Sequence, residues 1–321
     1  MVGGFFSKCN PVNGESVAEV SGGKREDINK AVQTAERSFE SLSNTPVAIR
    51  SKILKKAAQL LLEKQKEIAE IVAFESGKPL KHALGEVTAA VDCGFFITSN
   101  CDKFQQEELL ESSVPCRLVK LKRQSIGPGA LIVPFNNPIA SIAWKTFPAL
   151  LCGNTVVLKS HEDTPYTAVC FAKILKEAGL PAGVFNVIQG TGKDVGIPLV
   201  ENPSIKFISF TGSVVAASFI VKESANRLAK VSVEAGGKNP LVVCDDADMD
   251  KAVAAIVAGA FVDAGQRCAA TSRIIIFDAV YQEFKEKLLK KAQALKVGVS
   301  ENDDFGAIIN ERRLNQILKA V

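Results

Sequence analysis

Histidine is nearly absent: the chain has two, His82 and His161, in 321 residues. A histidine-based zinc site is therefore a poor reading, and no metal is expected. Cysteine occurs eight times, as Cys9, Cys93, Cys101, Cys116, Cys152, Cys170, Cys244 and Cys268. No two of them form a Cys-x-x-Cys pair and six lie in apolar stretches. Neither a metal nor a disulfide framework follows, and a reduced, cytoplasmic chain fits better. No apolar run reaches about 18 residues, so no membrane span is expected. The first fifteen residues lack a charged region followed by a long apolar one, so they do not read as a signal peptide. Charge of one sign is not in excess: 39 basic against 35 acidic side chains leave +4. That is too mild and too dispersed to imply nucleic acid. The 23 glycines and 13 prolines are scattered, which excludes collagen-like and low-complexity classes. There is no internal repeat and no G-x-G-x-x-G.

What is present is an ordinary globular composition, 47% hydrophobic and 23% charged, apolar enough to offset the entropy of ordering. At roughly 150 residues per domain the length suggests about two domains. The first hundred residues read as helix. Ile28, Ala31, Val32, Ala35 and Phe39 recur at three and four between Glu26 and Leu42. A second helical stretch runs from Pro46 to Ser76 and stops at Gly77-Lys-Pro79. A third runs from Leu80 to Phe104. Residues 114–122 alternate loosely, as an exposed strand or hairpin. From Gly127 the texture changes to short apolar strands and amphipathic helices in turn. Strands are expected at 130–134, 155–159, 184–188, 205–211, 230–234, 240–244 and 273–277. Helices are expected at 138–151, 165–178, 193–201, 213–226, 249–263, 280–294 and from 311 onward. Such alternation predicts a parallel sheet covered by helices on both faces.

Five short segments stand where chemistry would sit. Cys268 follows a helix, a breaker glycine and Arg267 in Gly265-Gln-Arg-Cys268. Most free cysteines are small buried hydrophobes, yet an adjacent cation favours a thiolate, and no other cysteine here has that setting. Glu234 ends an apolar strand just before Gly236-Gly237. It is either a solvated loop carboxylate or, at a strand end where α/β folds bind ligands, a general base. Asn136, in Val133-Pro-Phe-Asn-Asn-Pro138, is either turn chemistry or an amide donor to an oxyanion. Phe210-Thr-Gly-Ser213 takes a strand into a helix and offers backbone N–H groups to a phosphate, a weak signal alone. Lys159 and Glu162, directly after a strand, are either solvated charges or ribose partners.

Their order and spacing together are more specific than any one of them. The chain resembles the aldehyde dehydrogenase superfamily from about Asn10-Pro11 onward. The resemblance rests on Glu234-x-Gly-Gly-Lys-x-Pro, Gly265-Gln-x-Cys268, the 34-residue gap between Glu234 and Cys268, Pro134-Phe-Asn136-x-Pro138, Gly153-Asn-Thr-Val-Val-Leu-Lys159 and Phe210-Thr-Gly-Ser213. It implies an α/β, aldehyde dehydrogenase-like fold. A Rossmann-type parallel-sheet cofactor domain would span residues 1–235, with a projecting oligomerisation hairpin at about 104–125. Part of an α/β catalytic domain would span 236–321. It implies NAD(P)-dependent oxidation of an aldehyde to a carboxylic acid, with Cys268 as nucleophile, Glu234 as base and Asn136 in the oxyanion hole. Lys159 and Glu162 fall at the adenosine ribose, with His161 between them among the cofactor contacts. Gly212 and Ser213, with Phe210 and Thr211, fall at the pyrophosphate, and Gly192 falls in a loop near the adenine. Val133, Pro134, Phe135, Ala235 and Gly236 fall along the cofactor groove, and Asn137, Trp144 and Arg267 toward the substrate. NAD is the expected cofactor, in preference to NADP. The partner is a small aldehyde, with a homodimer or homotetramer expected for the full-length protein.

The sequence also departs from the family pattern. Ser160 and His161 replace a frequent Pro and a small residue. Val214-Val-Ala-Ala217 replaces the usual Thr-x-x-Gly after Gly-Ser, and Asn137 stands where an aromatic is common. No counterpart of the family's later Glu-x-Phe-Gly-Pro segment is present, so the chain is expected to be a fragment or a truncated paralogue. Two alternatives follow: a non-catalytic scaffold on the same fold, and an acylating enzyme passing its thioester to coenzyme A. The second branch tends to lack the base that Glu234 matches.

Overall fold

The computed structural model describes residues 4–319. An antiparallel hairpin opens it, β1 (Phe5–Cys9) and β2 (Ser16–Ser21), where helix was expected. Four helices follow: α1 (Arg25–Asn44), α2 (Val47–Glu63), α3 (Gln65–Ser76) and α4 (Leu80–Ser99). The single helix expected over 46–76 is broken at Lys64, which caps α2 and starts α3. The helix expected over 80–104 is broken at Asn100, with the short α5 (Cys101–Gln105) beyond it. Gly77 closes α3 in the left-handed region, φ 68°, a conformation that costs a side-chain-bearing residue energy and glycine little.

The projecting hairpin is narrower than 104–125, with strands β3 (Glu108–Glu111) and β4 (Leu118–Leu121). The alternating part comes next: β5 (Gly129–Ile132), α6 (Pro138–Leu151), β6 (Val156–Lys159), α7 (Pro165–Glu177) and β7 (Phe185–Ile188). A π-turn at Gly192–Gly196 leads into α8 (Ile197–Glu201), then β8 (Phe207–Gly212), α9 (Val214–Ala225) and β9 (Lys230–Ala235). The last stretch holds β10 (Asn239–Val243), α10 (Met249–Phe261), β11 (Thr271–Ile276), α11 (Tyr281–Gln293) and α12 (Glu311–Leu318). The final helix was expected to reach residue 321, and its last two positions lie outside the described residues.

The five central strands form one parallel sheet in the order β7-β6-β5-β8-β9. Period-two alternation sends neighbouring side chains to opposite faces. Leu131 and Leu158 join a core built against α2, α3, α4, α6 and α7. Ala130, Ile132 and Val157 join a second core against α1, α8 and α9. Helices thus cover both faces, as the sequence pattern predicts. A third core, with Val243, Met249, Val253, Ile256 and Phe284, draws only on residues 241–288. Strand order reverses between β5 and β8. Their carboxyl ends carry Val133–Asn137 and Gly212–Ser213, and such a switch point opens a crevice for ligands.

Candidate active site

The loop bearing Cys268 begins with an unusual backbone. Asp263 and Ala264 both have φ 55°, followed by Gly265 at φ 68°. Three successive residues in the left-handed region are costly outside glycine, so the turn needs support from its surroundings. Buried polar side chains supply it. Lys78, 4% exposed, donates to the Asn136 carbonyl at 2.6 Å and to Glu86 at 3.0 Å, and its ammonium lies 3.7 Å from Asp263. Glu86 in turn accepts from the Ile139 and Ala140 amides at 2.8 and 3.3 Å, closing the first turn of α6. Burial pushes the Glu86 carboxyl up, and Lys78 pulls part of that shift back. Burial also opposes charge on Asp263, but His82, Lys78 and Arg267 outweigh it and hold that carboxyl below its ordinary range. The closest His82–Asp263 approach is 3.6 Å, and both facing atoms, Nδ1 and Oδ1, are buried without a hydrogen-bond partner.

Two of the other segments singled out from sequence converge on this loop. Asn136 donates its amide to the carbonyl of Gln266 at 2.7 Å, two residues before Cys268. Gly237, just after the Glu234 strand, faces the Cys268 carbonyl, which a Cβ at 237 would approach to 3.6 Å. Asn239 donates to the Ala269 carbonyl at 2.9 Å. Gln266 also fixes the far side, donating to the Ala307 carbonyl at 3.2 Å and accepting from the Ile309 amide at 3.1 Å. Cys268 itself is exposed and free. Glu234 is exposed at the end of β9, paired in register with Thr211.

Lys145 is a charged residue on the Glu234 side that sequence reading missed. It sits in α6 after Trp144, donates to Ser209 at 2.9 Å, and is pulled down to about 8 by burial, with Glu234 opposing the shift. Trp144 and Lys145 border a cavity of about 600 Å³ together with Leu131, Ser209 and Ser232. No residue of the Cys268 loop lines that cavity. Asn137 caps α6 through its backbone, and its own amide donates to the Asn136 side chain at 3.0 Å.

The second half of the crevice is charged. Lys159, buried at the end of β6, pairs with Glu162 at 3.1 Å, and His161 and Arg312 approach the same carboxylate to 3.8 and 3.9 Å. Burial pushes Glu162 up, but His161 and Lys159 together outweigh it and keep the carboxyl below its usual range. Phe135 meets the His161 ring edge-on at 5.2 Å between centroids, so the residues after β5 and β6 touch. Ser213 caps α9, accepting from the Ala216 amide at 3.3 Å, and Val214 and Val215 at its first turn are exposed. At Gly212 a Cβ would come within 2.5 Å of the Phe210 ring, so that strand end tolerates no side chain without rearrangement. Gly192 is exposed at the start of the π-turn after β7.

Lys78, Glu86 and Asp263 escaped sequence reading as well. Lys78 carries only the signal of a helix stop in Gly77-Lys-Pro79, and its contact with Asn136 bridges 58 positions.

The family model described as the aldehyde dehydrogenase family matches residues 3–321. The chain is 35% identical to succinate-semialdehyde dehydrogenase, mitochondrial, of Oryza sativa, over 97% of this chain and 59% of that one. It is 36% identical to betaine aldehyde dehydrogenase of Bacillus subtilis, over 91% and 60%. Among solved structures, lactaldehyde dehydrogenase of Escherichia coli superimposes with a TM-score of 0.95 at 34% identity, covering 98% of this chain and 66% of that one. Betaine aldehyde dehydrogenase of Staphylococcus aureus, in complex with NAD+, superimposes at 0.96 with 29% identity, over 98% and 63%. The chain therefore spans about three fifths to two thirds of the length of these relatives. Among the described residues no helix is long and apolar enough to cross a membrane. The converging Asn136, Glu234 and Cys268 segments, the parallel sheet and the match over nearly every residue lead to one conclusion: the chain belongs to the aldehyde dehydrogenase family.

Proposed function

We propose that this chain carries the cofactor-binding part and the nucleophile of an NAD(P)-dependent aldehyde dehydrogenase that releases a carboxylic acid. The observation that carries the reading is the meeting of the Asn136, Gly237 and Cys268 segments at the Gln266–Ala269 loop. The Cys268 sulfur adds to the aldehyde carbon and forms a tetrahedral thiohemiacetal. The developing oxyanion takes a hydrogen bond from the Asn136 amide, which first gives up the Gln266 carbonyl; one such donor contributes about 3–4 kcal/mol. Collapse of this intermediate to a thioester on Cys268 expels the aldehyde hydrogen as hydride, which a nicotinamide bound in the crevice would accept. Glu234 removes a proton from water, which attacks the thioester and frees the acid.

The residues around the switch point fit a dinucleotide. Lys159 and Glu162 present a buried donor and a half-buried acceptor to ribose hydroxyls, and the start of α9 offers backbone amides to a diphosphate. When bound, the nicotinamide supplies the hydride acceptor. Val133, Pro134, Phe135, Phe210, Thr211, Gly212, Ser213, Ala235 and Gly236 line the crevice in this reading, with His161 and Gly192 toward the adenine side. Asn137, Trp144 and Arg267 are assigned to the substrate side. We place the boundary between the cofactor part and the catalytic part at about residue 235, supported by the separate core beyond it. Eight free cysteines suit a reducing compartment, and we assign the cytoplasm.

The test is transient kinetics on the full gene product. Cys268→Ala should lower turnover by at least about three orders of magnitude and leave NAD binding intact. Glu234→Gln should keep a single-turnover burst of NADH while the steady state slows. Burst and steady state falling together would remove Glu234 as the deacylation base. Retained oxidation by Cys268→Ala would remove the nucleophile.

A further inference from the structure

Four hydrogen bonds close a circuit around the Asn136 loop. Lys78 donates to the Asn136 carbonyl at 2.6 Å, and the Asn136 side-chain amide donates to the Gln266 carbonyl at 2.7 Å. The Gln266 side chain donates to the Ala307 carbonyl at 3.2 Å. The Ala307 amide returns to the Gly77 carbonyl at 3.0 Å, one residue before Lys78. The circuit takes in the β5–α6 loop, the Cys268 loop and the turn between α3 and α4. A second tie runs beside it. The Lys78 ammonium also donates to one oxygen of Glu86 at 3.0 Å, and the other Glu86 oxygen accepts from the Ile139 and Ala140 amides. One ion pair thus grips residues 136–140 at both ends, the cation on the first carbonyl and the anion on the last two amides. Lys78 and Glu86 are 4% and 7% exposed, so water competes little for either.

We propose that Lys78 is a positioning residue for the oxyanion donor: its ammonium, paired with Glu86, locks the main chain at Asn136, so that the side-chain amide turns from the Gln266 carbonyl to the oxyanion without the loop moving. The inference rests on the reading of Asn136 as that donor. A donor stabilises an oxyanion at about 2.7–3.1 Å, and a misplacement of about 1 Å costs on the order of a hundredfold in rate. Rotation of a side chain about a fixed backbone keeps that distance, and a loop free to shift loses it. An ammonium suits the task, because hydrogen bonds from a charged donor are about twice as strong as neutral ones. Lys78 acts through Asn136 and not on the reacting carbon. Its ammonium is engaged by the main-chain carbonyl, by Glu86 and, at 3.7 Å, by Asp263.

The experiment is a double-mutant cycle between Lys78→Met and Asn136→Ala in the full gene product, read as the rate constant of the NADH burst at saturating NAD and aldehyde. Lys78→Met alone should slow the burst at least about tenfold. In the Asn136→Ala background no amide is left to aim, and the same substitution should cost less than about twofold. Alkylation of Cys268 by iodoacetamide, followed on its own peptide, forms no oxyanion and should keep its wild-type rate in Lys78→Met. An equal loss in both backgrounds, a wild-type burst in Lys78→Met, or alkylation slowed as much as the burst overturns the proposal. Lys78→Met leaves Glu86 buried without its cation, so Lys78→Met with Glu86→Gln is made alongside. Glutamine keeps an oxygen for the Ile139 amide, and this variant should show the same loss of burst rate. A full burst in it, or failure of both variants to fold, overturns the proposal, since Lys78 would then serve folding alone. If the wild type gives no burst, the catalytic reading fails by itself. The side-chain amide signal of Asn136 in protein labelled with 15N-asparagine, identified through Asn136→Asp, then decides on Lys78. An unmoved signal in Lys78→Met overturns the positioning, and a signal shifted with faster proton exchange supports it.

Discussion

Glu162 is the residue at which cofactor preference should be decided. An acidic side chain that accepts a hydrogen bond from the ribose 2′-hydroxyl repels a 2′-phosphate, and the repulsion grows where water is partly excluded. Glu162 is half-buried and held ionised, which favours that role. Its cationic neighbours Lys159 and Arg312 temper the repulsion, so a preference for NAD is expected and not exclusion of NADP. Glu162→Ser should shift the ratio of kcat/KM values toward NADP by about tenfold, the equivalent of about 1.4 kcal/mol. Wild type favouring NADP, or a ratio unmoved by the substitution, would remove Glu162 from the site. Lys159 and Glu162 were legible in the sequence because a strand end followed by short polar spacing places them. Arg312 was not, since 150 positions separate it from its partner and nothing local marks it.

At the scale of elements, α7 is held at its start by a carboxylate from another helix, and that arrangement carries a pH signature. Burial raises the Glu75 carboxyl from an ordinary value near 4.5 to about 7, against the opposing pull of Thr167, Tyr166 and Lys8. The folded chain therefore binds this proton more tightly than the unfolded chain. Stability from this group is fully present below about pH 4.5 and is lost as the pH rises toward 7, up to about 3 kcal/mol. Glu75→Gln cannot ionise, so its stability should stay flatter across that window in urea titrations at stepped pH. A wild-type slope retained in the variant would assign the effect elsewhere. The elements themselves were largely readable: short apolar runs mark β5 and β6, apolar residues broken by single polar ones mark β7 to β9, and each helix between them has its stripe. What was missed has local causes. The β1–β2 hairpin is short and mostly exposed, so its alternation is weak. The break at Lys64 interrupts no apolar stripe, because Leu60, Leu61 and Ile68 continue it across. The ties through Lys78 and Glu86 join residues dozens of positions apart, which no periodicity reports.

For the whole molecule, the sheet and its two cores account for the region around residues 25–235, and the hairpin β3–β4 stands outside them. Its register pairs Leu110 with Val119, Leu109 with Lys120 and Glu111 with Leu118. Leu110, Val119 and Leu121 therefore share one face and Leu109 and Leu118 the other. All five are exposed, Leu109 at 68% and Leu118 at 75%. A two-stranded ribbon in water is marginal by itself, and apolar residues on both faces with two open strand edges favour pairing with another chain. The expected outcome is that the chain sediments as a dimer or larger species at micromolar concentration. Leu110→Glu combined with Leu118→Glu places one charge on each face of the ribbon and should shift it to monomer. The hairpin makes no contribution to the three cores, so the double variant should unfold at the same temperature as the wild-type monomer, to within about 2 °C. Unchanged sedimentation in the variant would move the association surface to the β10–β11 ribbon, where Val242, Ile275 and Phe277 are also exposed.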